Sequence, residues 1–224
     1  MKEQTIQRIV DEGVLAVLRG PSEDLTLKMV EALLKGGVKG IEITFTTPNA
    51  LAVIETLANQ FHGDILLGVG TVTKIDQSMA AKNAGAQFLV SPHTDKKLLK
   101  SMVKTKLPVI AGALTPSEVV AALKYGADIV KIFPGSLVGP TYIKALRGPY
   151  PDLRAMPTGG VNKENIKDWF AAGAIAVGAG SNLCPKSWAL EGRFEEITQN
   201  AREYREIIDN ARSVKQQKVI VKKG

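Results

Sequence analysis

Asp128-Ile129-Val130-Lys131-Ile132-Phe133 is an apolar run broken by a single lysine. Side chains on a strand alternate between its two sides. Val130 and Ile132 therefore share one side, and Ile129, Lys131 and Phe133 share the other. Gly40-Ile41-Glu42-Ile43-Thr44-Phe45 has the same form. Ile41, Ile43 and Phe45 make its apolar side, and Glu42 stands opposite. In a barrel of strands wrapped by helices, the apolar sets meet the helices. Lys131 and Glu42 then project into the barrel interior.

The rest of the chain supplies the other strands. Eight short apolar runs alternate with longer amphipathic ones: Val14–Arg19, Val38–Thr44, Ile65–Thr71, Gln87–Ser91, Pro108–Ala113, Ala127–Phe133, Leu153–Thr158 and Ala174–Gly180. Their starts fall about 19 to 27 residues apart, the spacing of strand, loop and helix in a parallel sheet. Ser22 is an N-cap candidate ahead of Leu25, Met29, Ala32 and Leu33. Thr115-Pro116-Ser117-Glu118 combines a cap, a first-turn proline and a glutamate three residues on. Asn162 is expected to cap a helix reaching Ala172. Gly36-Gly37, Gly85, Gly126 and Gly173 follow expected helix ends.

The pattern predicts one α/β domain, a (β/α)8 TIM barrel. An N-terminal helix before Val14 covers its bottom, and a long helix, Phe194 to Val214, follows the last strand. The barrel domain is expected over residues 1–214, with a basic C-terminal tail at 215–224. A doubly wound sheet is the structural alternative, but its Gly-rich dinucleotide turn is missing from Arg19-Gly20-Pro21-Ser22.

Composition narrows the function classes. The 224 residues carry a net charge of +7, with 45% hydrophobic and 23% charged residues. Aromatics are 5% of the chain, and no basic stripe with interleaved aromatics suggests a nucleic-acid partner. No apolar run approaches the roughly 20 residues that span a bilayer, so no membrane partner is expected. A single cysteine, Cys184, makes no intramolecular disulfide, and a cytoplasmic setting is expected. The two histidines, His62 and His93, show no metal-ligand spacing, so neither metal nor cofactor is expected.

TIM-barrel active sites lie at the C-terminal ends of the strands. Arg19 ends the first strand, Thr71 the third, and Glu42 and Lys131 sit near the ends of the second and sixth. Together they offer a cation, a hydroxyl, an acid/base and an amine to one mouth. An amine attacks a ketone when neutral, and an apolar barrel interior favours that form. Thr158-Gly159-Gly160-Val161-Asn162 follows the seventh strand and leads toward a helix. Gly178-Ala179-Gly180-Ser181 follows the eighth and is expected to meet a short helix. Loops in these two positions hold phosphate in many barrels, through backbone N–H groups and a helix N-terminus.

These segments resemble the KDPG/KHG aldolase family, the 2-keto-3-deoxy-6-phosphogluconate and 4-hydroxy-2-oxoglutarate aldolases. The resemblance runs over nearly the whole chain. It rests on Ile41-Glu42-Ile43-Thr44, Gly68-Val69-Gly70-Thr71-Val72, Ser91-Pro92-His93, Val130-Lys131-Ile132-Phe133-Pro134, Pro157-Thr158-Gly159-Gly160-Val161 and Gly178-Ala179-Gly180-Ser181. It implies a metal-independent class I aldolase and a homotrimer. The implied substrate is a phosphorylated 2-keto-3-deoxy sugar acid, cleaved to pyruvate and glyceraldehyde 3-phosphate.

By the same resemblance Lys131 corresponds to the Schiff-base lysine and Glu42 to the general acid/base. Thr71 corresponds to a carboxylate ligand, and Pro92 and Phe133 to pocket walls. Thr158, Gly159, Gly160, Gly180 and Ser181 belong to the substrate-binding turns, with Gly159, Gly160 and Ser181 as phosphate ligands. Some members carry an arginine four residues after the glutamate. Thr46 stands there in this chain, and Arg19 is expected to replace that cation at the substrate carboxylate. The 2-keto-3-deoxy-6-phosphogalactonate aldolases are the nearest alternative. A non-catalytic phosphosugar-binding barrel is the alternative from another class.

Overall fold

The computed structural model describes residues 1–221, and side-chain surroundings through residue 213. Eight strands are present: β1 (Val14–Leu18), β2 (Gly40–Thr44), β3 (Leu66–Gly70), β4 (Phe88–Ser91), β5 (Val109–Ala113), β6 (Ile129–Ile132), β7 (Ala155–Pro157) and β8 (Val177–Ala179). Each falls within its expected run, trimmed at the ends. β1 through β7 pair in sequence order and β8 pairs with β1, all in parallel. A bridge between Thr158 and Gly178 brings β7 to β8 and closes the barrel. This order excludes the doubly wound alternative, whose strand sequence reverses at a switch point.

Ten α-helices accompany the strands among the described residues: α1 (Lys2–Glu12), α2 (Glu23–Lys35), α3 (Ala50–Gln60), α4 (Ile75–Asn83), α5 (Lys96–Lys104), α6 (Pro116–Lys124), α7 (Pro140–Leu146), α8 (Ile166–Ala172), α9 (Lys186–Leu190) and α10 (Phe194–Val221). α10 continues past its expected end at Val214, so residues 215–221 of the expected tail are helical; residues 222–224 lie outside the described residues.

The strand alternation separates two cores. Ile41, Ile43, Val130 and Ile132 pack in the large layer shared with the helices. Leu15, Leu66, Phe88, Ile110, Ile129 and Met156 fill the barrel, and Ile6 and Ile9 of α1 plug it from below. One residue of slip would exchange these faces, so the sequence pattern sets the register.

Local signals set the helix ends. Ser22 Oγ accepts from the Leu25 N–H at 3.3 Å. Thr115 and Glu118 form a reciprocal capping box at the start of α6. The Glu118 carboxyl lies below its usual range because the Leu114 and Thr115 N–H groups donate to it. Thr115→Ala is expected to cost about 1 kcal/mol, read as a lower urea midpoint at unchanged slope. An unchanged midpoint would show that the box contributes nothing.

Two helix starts differ from expectation. α8 begins at Ile166 rather than at Asn162. Asn162 and Asn165 each accept the other's backbone N–H at 3.0 Å, and this turn delays the helix. The short helix expected after Gly178-Ala179-Gly180-Ser181 is α9, set back to Lys186. Gly180 O accepts from both Leu183 and Cys184 in a tight turn, and Pro185 precedes α9. A proline disfavours helical backbone in the residue before it.

Candidate active site

Lys131 and Glu42 meet inside the barrel. Lys131 Nζ lies 3.6 Å from Glu42 Oε1, and their side chains are 6% and 1% exposed. That distance makes an ion pair without a hydrogen bond, so both Glu42 oxygens are buried without a hydrogen-bond partner. A buried carboxylate in this condition costs stability unless something else meets it. The Phe133 ring stands with its centroid 5.4 Å from Lys131 Nζ.

The neighbouring strands make room for the pair. Glu42 is in register with Val17 on β1 and Gly68 on β3. Lys131 is in register with Gly112 on β5 and Met156 on β7. A methyl group on Gly70 would lie 1.9 Å from Glu42 Oε1. Glu42 can stand where it does only because Gly70, one residue of the Gly68-Val69-Gly70-Thr71-Val72 motif, is bare. The signal for this is a glycine two residues from another glycine on an interior strand face.

Thr71 follows Gly70 with φ 56°, a left-handed conformation rare for a residue with a branched side chain. Such strain persists where the surroundings impose it and clusters at functional sites. Pro92 follows β4, and its carbonyl packs against Gly112, the register neighbour of Lys131.

A second group of side chains lines one cavity of about 80 Å³ at the strand ends. Arg19, Phe133, Thr158, Gly159, Gly160, Gly180 and Ser181 all border it. Arg19, expected at the carboxylate end, therefore sits with the two glycine turns. Gly159 and Gly160 have φ of 88° and 75°, where a Cβ would be strained. α8 and α9 begin beyond these turns, and Arg19 is the one charged side chain among the residues that line the cavity.

Thr158 borders the same cavity, and its Oγ1 is buried without a partner. Gly178 allows it, since a methyl there would meet Thr158 Oγ1 at 2.3 Å. Asn182 also lines the cavity and was not singled out from the sequence. Its Nδ2 donates to Val161 O at 3.0 Å, tying one turn to the other. Asn200 of α10 donates to the Leu183 and Asn182 carbonyls at 2.7 and 2.9 Å. The last helix thereby braces the turn that carries Ser181.

Burial pushes the Cys184 thiol up to about 12, so it stays protonated at neutral pH and is no rival nucleophile. Among the described residues no three of His, Cys, Asp and Glu converge on a point. No helix among them is long and apolar enough to cross a membrane.

The family model for KDPG and KHG aldolase matches residues 6–200. The 2-dehydro-3-deoxy-phosphogluconate aldolase of Haemophilus influenzae is 34% identical over 208 residues, 92% of this chain and 97% of that one. The 2-dehydro-3-deoxy-6-phosphogalactonate aldolase of Escherichia coli is 33% identical over 196 residues, 87% of this chain and 96% of that one. A crystal structure of the Legionella pneumophila KDPG aldolase holds pyruvate captured as a covalent carbinolamine intermediate. It superposes with a TM-score of 0.80 at 32% identity, covering 85% of this chain and 92% of that chain. A barrel with an interior lysine–glutamate pair, matched along its length to these enzymes, is an aldolase, and the chain belongs to the KDPG and KHG aldolase family.

Proposed function

We propose that this aldolase is a metal-independent class I enzyme. It cleaves 2-keto-3-deoxy-6-phosphogluconate to pyruvate and glyceraldehyde 3-phosphate, and also acts on 4-hydroxy-2-oxoglutarate. The observation that carries this reading is the buried Lys131–Glu42 pair at 3.6 Å beside the glycine-lined cavity.

Lys131 Nζ attacks the C2 ketone, and loss of water from the carbinolamine leaves an iminium. Glu42, through a water, moves the protons of that dehydration. The iminium accepts the electron pair of the C3–C4 bond as Glu42 takes the proton of the C4 hydroxyl. Glyceraldehyde 3-phosphate leaves, and the remaining enamine is protonated at C3 and hydrolysed to pyruvate. Thr71 holds the carboxylate, and Pro92 and Phe133 wall the pyruvate half. Gly159, Gly160, Gly180 and Ser181 hold the phosphate. Holding both ends orients C4 against Glu42, which removes several kcal/mol of barrier.

The position of Arg19 beside both glycine turns supports a phosphate role for it in place of the expected carboxylate role. Arg19→Ala is then expected to raise KM for the phosphorylated substrate at least tenfold. KM for 4-hydroxy-2-oxoglutarate, which has no phosphate, changes less than twofold. Equal effects on both substrates would return Arg19 to the carboxylate.

In this reading the unpartnered Thr158 hydroxyl meets a substrate hydroxyl and so separates the gluconate from its C4 epimer, the galactonate. A buried hydroxyl without a partner discriminates by the substrate hydroxyl that satisfies it. Thr158→Val is expected to lower the gluconate/galactonate ratio of kcat/KM about tenfold or more. An unchanged ratio would remove Thr158 from specificity.

Self-association as the homotrimer fits the outward-facing Ile75 and Met79 of α4. Sedimentation at three chain masses checks it. The whole reading is tested by borohydride reduction in the presence of pyruvate, followed by peptide mass mapping. The pyruvyl adduct belongs on Lys131, and an adduct elsewhere, or none, overturns the mechanism.

A further inference from the structure

A cationic cavity lies at the opposite end of the barrel. It has a volume of about 460 Å³, and it opens between α1, the α4–β4 loop and the α5–β5 loop. Four cations line it, Lys2, Arg8, Lys82 and Lys106, and no acidic residue does. We propose that this cavity is a second binding site, for a small organic polyanion carrying two or more phosphate groups.

The surrounding protein leaves much of this charge unmatched. Lys2 pairs with Asp128 at 2.9 Å. Arg8 spends its Nη2 on the Gly63 and Ile65 carbonyls at 3.3 and 3.1 Å, which holds the guanidinium in place without neutralising it. Lys82 and Lys106 have no carboxylate within 4.0 Å among the described residues. The C-terminal dipole of α4 accounts for Lys82 alone. It does not account for cations converging from α1 and from the α5–β5 loop.

Two further observations concern the same lining. Gln87 Oε1 is buried and lacks a partner. The two ends of a carboxamide are interchangeable in assignment, so Gln87 offers either an acceptor or an N–H pair to a ligand. Lys106 has φ 65°, a conformation that glycine adopts without strain and lysine does not. Such a conformation persists where the surroundings impose it, and it clusters at ligand clamps and switch regions. The volume falls within the roughly 300–1,000 Å³ of small-molecule sites. A lone phosphate would leave most of it empty.

This site is separate from the aldolase site. Gln87 directly precedes β4, and the α5–β5 loop feeds the start of β5, so the cavity lies at the N-terminal ends of the strands. Ile6 and Ile9 of α1, with the interior layer above them, stand between the two ends.

The test is calorimetric titration with inorganic tripolyphosphate at fixed ionic strength. Arg19→Glu protein is used, so that the glycine turns repel the probe. One site per chain is expected to remain. Adding Lys82→Ala and Lys106→Gly should weaken it at least tenfold; both side chains are exposed, and glycine suits the backbone at 106. A matched control, Lys97→Ala with Lys124→Ala, removes the same charge from exposed positions outside the cavity and should leave the affinity within twofold. No binding to Arg19→Glu protein overturns the proposal. So does unchanged affinity in the cavity variant, or equal loss in the control.

Discussion

Lys131→Met is expected to lose turnover by more than about 10⁴-fold, the scale on which enzymes respond to removal of a covalent nucleophile. Pyruvate with borohydride should add no mass to this variant. Stability complicates a simple reading. Glu42 is 1% exposed, and its two oxygens have no hydrogen-bond partner. Taking away the lysine leaves that carboxylate alone in an apolar interior. Breaking a buried ion pair from one side costs about 3–5 kcal/mol, whereas replacing both partners is often neutral. The variant therefore melts well below the parent. Lys131→Met combined with Glu42→Gln should recover most of the melting temperature and none of the activity. Activity in either variant, or a trapped adduct in either, would end the Schiff-base assignment.

Gly70→Ala should fall by about 10²–10⁴-fold in kcat, the usual worth of a positioned general acid/base. The reason is steric. The added methyl would meet Glu42 Oε1 at 1.9 Å, with Cδ and Cγ at 2.6 and 2.7 Å. No small side-chain shift absorbs an overlap with three consecutive atoms, so the carboxylate leaves its place beside Lys131. Imine formation with pyruvate still occurs if the lysine is undisturbed, so borohydride trapping should be slowed rather than abolished. Steady-state kinetics together with the trapping rate separate the two effects. Full activity in Gly70→Ala would mean that Glu42 needs no fixed position.

The barrel and its interior lysine–glutamate pair were legible along the chain for one physical reason. A strand repeats every two residues, so a charge in an apolar run has only two directions to point. Lys131 among Ile129, Val130, Ile132 and Phe133 pointed inward on that rule alone, and Glu42 did likewise. Regular spacing of eight such runs implied the strand order. The caps at Ser22 and Thr115 were legible because their contacts lie within a few residues of each other.

The remainder depended on residues far apart in sequence. The turns after β7 and β8 read as helix starts, yet the Asn162–Asn165 pair and Pro185 displaced both helices. Arg19 is adjacent to those turns because β8 pairs with β1. The Ser181 turn is braced by Asn200, which arrives on α10 after the barrel is complete. Sequence periodicity by itself determined which way Lys131 and Glu42 face. Only the closed barrel decided that they stand 3.6 Å apart, that Gly70 must be bare to allow it, and that Arg19 lies beside the two glycine turns. Direction follows from local backbone geometry, whereas distance across a barrel follows from closure, which no single strand encodes.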